Sequence, residues 1–259
     1  MVFMREGVSL RLFHTSEELF KTAAQDFCER AMDAVRTKGV FSVVLSGGNT
    51  PKSFFDILVQ DKYCRENTPW KMIRFFFGDE RYVASSDERN NYHCANEHLF
   101  SKVPISLEHI FRISTDFKNP ESAAKDYEKT LRKAFHIHND ALPVFDLVYL
   151  GLGEDAHTAS LMPYSAALED GGRSVACVLR PESNELRITM TPRAINCGEN
   201  IIFLVTGAEK AKAVCAVLEG PSDPQRLPAQ LIHSVKGKTI WFLDKAASEK
   251  LRISKEPIS

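Results

Sequence analysis

The sequence predicts an α/β protein built on a mostly parallel sheet with helices on both faces. Largely apolar runs such as Phe41–Leu45, Phe145–Leu150 and Ile201–Val205 read as strands buried on both faces, the habit of parallel sheets. They alternate along the chain with amphipathic segments of helical period, the pattern of βαβ units. No internal repeat, low-complexity tract or linker-like shift in composition interrupts the 259 residues, so one domain over 1–259 is expected.

Taken in order, Ser9–Phe13 alternates as a half-buried strand. Thr15 or Ser16 then caps a helix whose apolar residues run from Leu19 through Phe27 to Val35, and Gly39 stops it. The strand Phe41–Leu45 leads through Ser46-Gly-Gly-Asn-Thr-Pro51 into a helix carrying Phe54, Phe55, Ile57 and Leu58. Pro51 suits that helix's first turn, where its missing N–H costs nothing. Ile73–Phe77 is a strand entering a charged loop at Asp79–Val83. Helices are expected from about Asn90 to Phe100 and from Ser122 to Phe135. Phe145–Leu150 enters the Gly151 loop, Ile201–Val205 enters Thr206-Gly207 and a helix through Leu218, and Thr239–Leu243 ends in Asp244 and a last short helix. Ligands of open α/β sheets bind in the loops that leave the carboxyl ends of such strands.

Composition narrows the function classes. A formal net charge of −1 argues against a broad nucleic-acid footprint, so affinity for an anion must come from a local site. No apolar run approaches the roughly 20 residues that span a bilayer. The stretch Met1–Gly7 lacks the basic-then-apolar design of a signal peptide, and a cytoplasmic location is expected. The six cysteines contain no Cys-x-x-Cys pair and read as buried small hydrophobes. His93, His98, His136 and His138 form no recognised metal motif, and neither a metal nor an organic cofactor is expected.

Four loops carry chemistry. In Ser46-Gly-Gly-Asn-Thr-Pro51, Gly47 and Gly48 let backbone approach a ligand, and the helix start offers free N–H donors to a phosphate. The segment is neither a Walker loop nor a dinucleotide loop. Asp79-Glu-Arg81 ends an apolar strand in three charges able to bind hydroxyls or an anion, or to form a solvated turn. Gly151-Leu-Gly-Glu-Asp-Ala-His-Thr-Ala-Ser160 sets Asp155 two residues before His157. A histidine there can exchange protons near neutral pH, and a neighbouring carboxylate can hold its tautomer. Thr206-Gly-Ala-Glu-Lys-Ala211 puts Lys210 in a helix's first turn, where a cation opposes the dipole unless an anion compensates. No Gly-x-Ser-x-Gly elbow supports a serine nucleophile.

Together these blocks resemble the 6-phosphogluconolactonase family. They comprise Leu45–Pro51, Phe77–Val83 with Asn90-Asn91 downstream, Phe145–Pro163, Arg187–Thr191, Gly207–Lys210, Leu227–Ala229 and Trp241–Asp244, in the family's order over most of the chain. The resemblance implies a Rossmann-like three-layer α/β/α fold and cofactor-free hydrolysis of a phosphorylated sugar lactone, 6-phosphoglucono-δ-lactone, in the pentose phosphate pathway. It puts the catalytic groups on His157, Asp155 and Arg81. Substrate contacts fall on Ser46, Gly47, Gly48, Asn49, Thr50, Asp79, Asn91, Arg187 and Lys210. The expected assembly is a monomer or weak homo-oligomer.

Three residues depart from the family pattern. Ala156 replaces the usual Gly of Asp-Gly-His, Ala84 a common Pro and Met162 a common Phe. A positive φ at Ala156 would cost on the order of 1 kcal/mol. The related glucosamine-6-phosphate deaminases carry a Glu five residues after the histidine. Met162 stands there and can neither give nor take a proton, although Asn91-Tyr-His93 echoes a deaminase run. A sugar-phosphate sensor would normally add a helix-turn-helix, for which the stretch before Ser9 leaves no room.

Overall fold

The computed structural model describes residues 2–5, 8–169 and 171–252; Met1, Glu6 and Gly7 of the stretch read above for a signal lie outside them. Strands β1 (Val2–Arg5) and β2 (Val8–Phe13) form an antiparallel pair. Helix α1 (Ser16–Lys38) follows, and Thr15, not Ser16, is its cap, accepting from the Glu18 N–H at 3.1 Å. Gly39 closes it at φ 78°. Its buried stripe of Leu19, Phe20, Ala23, Phe27, Ala31 and Ala34 lies at helical spacing and packs on the sheet. Next come β3 (Phe41–Leu45), α2 (Asn49–Gln60), α3 (Lys62–Asn67), β4 (Ile73–Phe77), β5 (Asp79–Arg81), α4 (Asn91–His98), β6 (Ile110–Phe111) and α5 (Pro120–Ala134). Helix α5 begins two residues before the predicted Ser122. Asn119 caps it by accepting from Ser122 N–H at 2.8 Å, and Pro120 fits the first turn.

The second half holds β7 (Leu147–Leu150), β8 (Val175–Arg180), β9 (Glu185–Met190), α6 (Pro192–Ile195), β10 (Asn200–Val205), α7 (Ala211–Glu219), β11 (Lys238–Asp244) and α8 (Lys245–Ser248). The main sheet runs β1-β2-β11-β10-β7-β3-β4-β6, parallel throughout except for β1. Strands β3, β7 and β10 are buried at nearly every position, as their two-faced apolar runs predict. One cluster of buried residues runs through this sheet and the smaller one, from Phe27 and Phe75 to Ile188 and Met190.

Two features position the site. From β3 the chain winds outward to β4 and β6; from β7 it winds the other way, to β10 and β11. The order therefore reverses between β3 and β7, and the loops leaving their carboxyl ends diverge around a crevice. Second, Asp79–Arg81 is a strand rather than the predicted loop. It pairs antiparallel with β9, and β9 pairs with β8, giving a three-stranded sheet beside the crevice. Register decides the consequence: Arg81 lies directly opposite Arg187.

The cysteines are all free, but only Cys28 and Cys64 are buried; the other four are half-buried, a partial correction to the expectation. No helix among the described residues is long and apolar enough to cross a membrane.

Candidate active site

A cavity of about 370 Å³ opens at the crevice, lined by Ser46–Pro51, the loop after β7, Asp79, Arg81, Arg180, Arg187, Glu209 and Lys210. Three of the four predicted loops thus meet at one place with the edge of the small sheet.

The β3 loop supplies an anion cradle. Gly48 takes φ 107°, which a side chain disfavours, and precedes α2 with no side-chain cap on that helix. The N–H groups of Asn49 and Thr50 therefore stay open at the positive end of the helix dipole. Ser46 contributes differently from a free donor: its hydroxyl donates to the Tyr149 carbonyl at 2.8 Å and ties β3 to β7 across the switch point.

The β7 loop presents a carboxylate–imidazole pair. His157 Nδ1 lies 2.5 Å from Asp155 Oδ1, and the His157 N–H donates to the same oxygen at 3.2 Å. With Nδ1 engaged, Nε2 is the nitrogen left for chemistry. Burial pushes the Asp155 carboxyl up, but the imidazole's hydrogen bond and charge outweigh this and hold it down at about 2. Asp155 therefore stays ionised through the neutral range, and its carboxylate fixes the ring's orientation.

Backbone geometry makes the pairing possible. Ala156 does sit at a positive φ, 66°, so the alanine carries a left-handed cost of about 1 kcal/mol. Ala159 at φ 49° and Tyr164 at φ 60° add two more such positions in the same loop. Strain of this kind collects where surrounding structure over-determines a functional loop. At Gly153 a Cβ would come within 2.1 Å of His157 Nδ1 and 2.4 Å of Asp155 Oδ1, so only glycine leaves room for the pair.

Cations line the facing walls. Like charges opposite each other on paired strands repel, yet Arg81 and Arg187 both face the cavity. Glu185 holds Arg187 through two contacts at 2.9 and 2.6 Å. Arg81 donates to the Arg89 carbonyl at 2.6 Å and forms no ion pair among the described residues; Lys210 forms none either. Lys210 ends a short 3-10 turn just before α7 rather than lying in that helix's first turn. Further residues were missed in the sequence. Arg180, which pairs with Glu182 at 3.3 Å, and Glu154, Thr158 and Glu209 all line the cavity. Arg180 comes from the β8–β9 hairpin, whose signal was two β-rich runs split by Pro181-Glu-Ser-Asn184.

Asp79 lines the cavity but is only 5% exposed, and it accepts from Ser160 Oγ at 2.6 Å. Asn91, expected among the substrate contacts, does not line the cavity: it is buried behind Gly47 and donates to Asp79. Glu80 is also turned away. Its carboxylate accepts from the Arg81, Asn91 and Tyr92 N–H groups at 2.8, 2.7 and 3.0 Å, closing the start of α4.

Burial pushes the Glu80 carboxyl up and these donors pull it only part of the way back, leaving it at about 7 against an ordinary 4.5. A carboxyl raised in the folded state contributes most below its unfolded value and loses that contribution as pH climbs through the folded one. Stability should fall between those two pH values, by at most about 3.5 kcal/mol at ~1.4 kcal/mol per pKa unit. Glu80→Gln does not titrate, so urea unfolding at pH 5 and 7.5 should show the wild type losing ground relative to the variant. Parallel behaviour at both pH values would contradict this account of Glu80.

Among the described residues, no cluster of three or more His, Cys, Asp or Glu is arranged to hold a metal.

An α/β fold with a carboxylate–imidazole pair and an anion cradle at its switch point defines an enzyme for a small anionic substrate. The chain belongs to the family of glucosamine-6-phosphate isomerases and 6-phosphogluconolactonases, whose model matches residues 14–241. It is 37% identical over 223 residues to a 6-phosphogluconolactonase of Synechocystis sp., covering 86% of this chain and 90% of that one. The structure of a 6-phosphogluconolactonase from Trypanosoma cruzi superposes with a TM-score of 0.82 at 27% identity, over 94% of this chain and 96% of the other. A monomeric glucosamine-6-phosphate deaminase superposes at 0.78 and 21% identity, over 93% and 99%, a likeness of fold alone.

Proposed function

We propose that this enzyme hydrolyses 6-phospho-D-glucono-1,5-lactone to 6-phospho-D-gluconate, the lactone-opening step of the oxidative pentose phosphate pathway, with His157 as general base. One observation carries the proposal: His157, held from behind by Asp155, which itself does not line the cavity, opens on the same space as the uncapped start of α2 and as Arg81 and Lys210, which form no ion pair among the described residues. The phosphate docks on the Ser46–Thr50 loop, with Lys210 supplying charge. His157 Nε2 takes a proton from water as the oxygen attacks the lactone carbonyl, and Asp155 stabilises the imidazolium that forms. Arg81 faces the developing oxyanion. The tetrahedral intermediate collapses with loss of the ring oxygen, which takes the proton from His157, and the carboxylic acid so formed ionises to the open carboxylate, releasing one proton to solvent. Asp79, Arg187 and the glycines of the cradle shape the substrate's seat.

Met162 separates this reading from deamination. It is 2% exposed, does not line the cavity and offers no proton where the deaminases place a glutamate. A charged substrate of this kind is retained by membranes, which supports work in the cytoplasm, and the single domain acts as a monomer or weak homo-oligomer.

Hydrolysis releases acid where isomerisation does not. In a pH-stat, the protein should release one proton per lactone consumed, faster than the spontaneous reaction; a rate equal to the spontaneous one would overturn the proposal. Lys210→Ala should raise KM several-fold with kcat little changed, because a phosphate contact binds ground and transition states alike. An unchanged KM would remove Lys210 from the phosphate site.

A further inference from the structure

The geometry points to Ser160, Asp79 and Asn91 as a buried strut that holds the His157 loop in register with the Ser46–Thr50 loop, making Ser160 and Asn91 positioning residues for the reaction. The inference rests on the hydrolytic reading above. Ser160 lies three residues after His157 and is fully buried; its hydroxyl donates to Asp79 Oδ2 at 2.6 Å, short as charge-assisted bonds are. The Asn91 carboxamide donates to the Asp79 carbonyl at 2.8 Å and, at 3.3 Å, to its other carboxylate oxygen. Past Asp79, the Asn91 Oδ1 fills the space a side chain on Gly47 would need, only 1.7 Å from where its Cβ would stand. Three side chains from distant parts of the chain thus connect the base's loop to the phosphate's loop.

Two oddities favour alignment over mere packing. Asn91 is 2% exposed, yet its Oδ1 has no hydrogen-bond partner, an arrangement that costs stability and that an apolar side chain would avoid. Asp79 is a buried carboxylate that forms no ion pair among the described residues; its oxygens accept from the uncharged side chains of Ser160 and Asn91. Both residues serve directional bonds that fix distance. A reaction between a phosphate-anchored substrate and a base on another loop depends on that distance, and a displacement of about 1 Å costs about a hundredfold in rate.

The test is a double-mutant cycle on kcat with the phosphorylated lactone. Ser160→Ala and Asn91→Ala should each lower kcat by about tenfold or more, with KM moving much less, as misalignment predicts. Because either cut severs the strut, the double variant should lose about as much as the worse single variant. Losses that multiply, or single variants that keep kcat, would overturn the strut. Urea midpoints would confirm folded protein, and Asn91→Ser would replace Asn91→Ala in the cycle if the alanine variant did not fold. A wild type inactive on the lactone would instead overturn the hydrolytic reading, so the two failures are distinguishable.

Discussion

Replacing His157 with alanine is expected to lower kcat by about 10²–10⁴-fold, the usual contribution of a positioned acid–base group. The imidazole lies on the cavity wall, with 18% of its side chain exposed, so its removal opens space without breaking the core. The variant should therefore fold, and KM should change little because the phosphate cradle is untouched. Steady-state rates corrected for spontaneous opening check this, alongside thermal unfolding. Asp155→Asn should follow in the same direction: an amide can present its N–H to Nδ1 and favour the wrong tautomer. Since Asp155 is held down at about 2, an acid limb in the rate profile above pH 4 would not be its titration.

Gly153→Ala is expected to have the second largest effect, although it removes no reactive group. The added methyl would meet Nδ1 at 2.1 Å and the Asp155 carboxylate at 2.4 Å, both well inside contact distance. Neither partner can yield without opening the 2.5 Å bond between them. The ring must swing away from its productive orientation, and a shift of about 1 Å costs about 100-fold in kcat. Overpacking should also lower stability by about 1–3 kcal/mol. In a His157→Ala background the same methyl meets no ring, and its effect on kcat should vanish. An equal loss in both backgrounds would show that Gly153 acts through something other than the pair.

The centre of the main sheet was legible because β3, β7 and β10 are buried on both faces, and such strands write themselves as short apolar runs; the short outer strands β1 and β6 went unread. Punctuation was equally informative: Gly39, the Gly47–Pro51 stretch and Gly151–Gly153 mark ends that the structure keeps. What escaped is what depends on distant pairing. Asp79-Glu-Arg81 has the composition of a solvated loop, and only β9, about 110 residues onward, makes it a strand. Arg180 reaches the cavity on the β8–β9 hairpin, whose signal at Pro181–Asn184 was local but went unread. Asn91 and Glu80 were visible as polar residues in family blocks, but burial turned them into supports for Gly47 and α4. Sequence motifs therefore located the site's residues better than their tasks. Ala156 is the reverse case: the motif posed a positive φ there as a condition, and φ 66° is what the loop adopts.

Fold likeness does not separate this chain from the deaminases, since one of them superposes at a TM-score of 0.78. The difference lies in the residues around the histidine. The most direct test is one side-by-side assay of the purified protein. It would follow loss of 6-phosphogluconolactone, corrected for spontaneous opening, and ammonia release from glucosamine 6-phosphate, each with wild type and His157→Ala. The account predicts rapid lactone loss by the wild type, near-spontaneous rates in the variant and no ammonia from either. Ammonia release with no acceleration of lactone opening would contradict it.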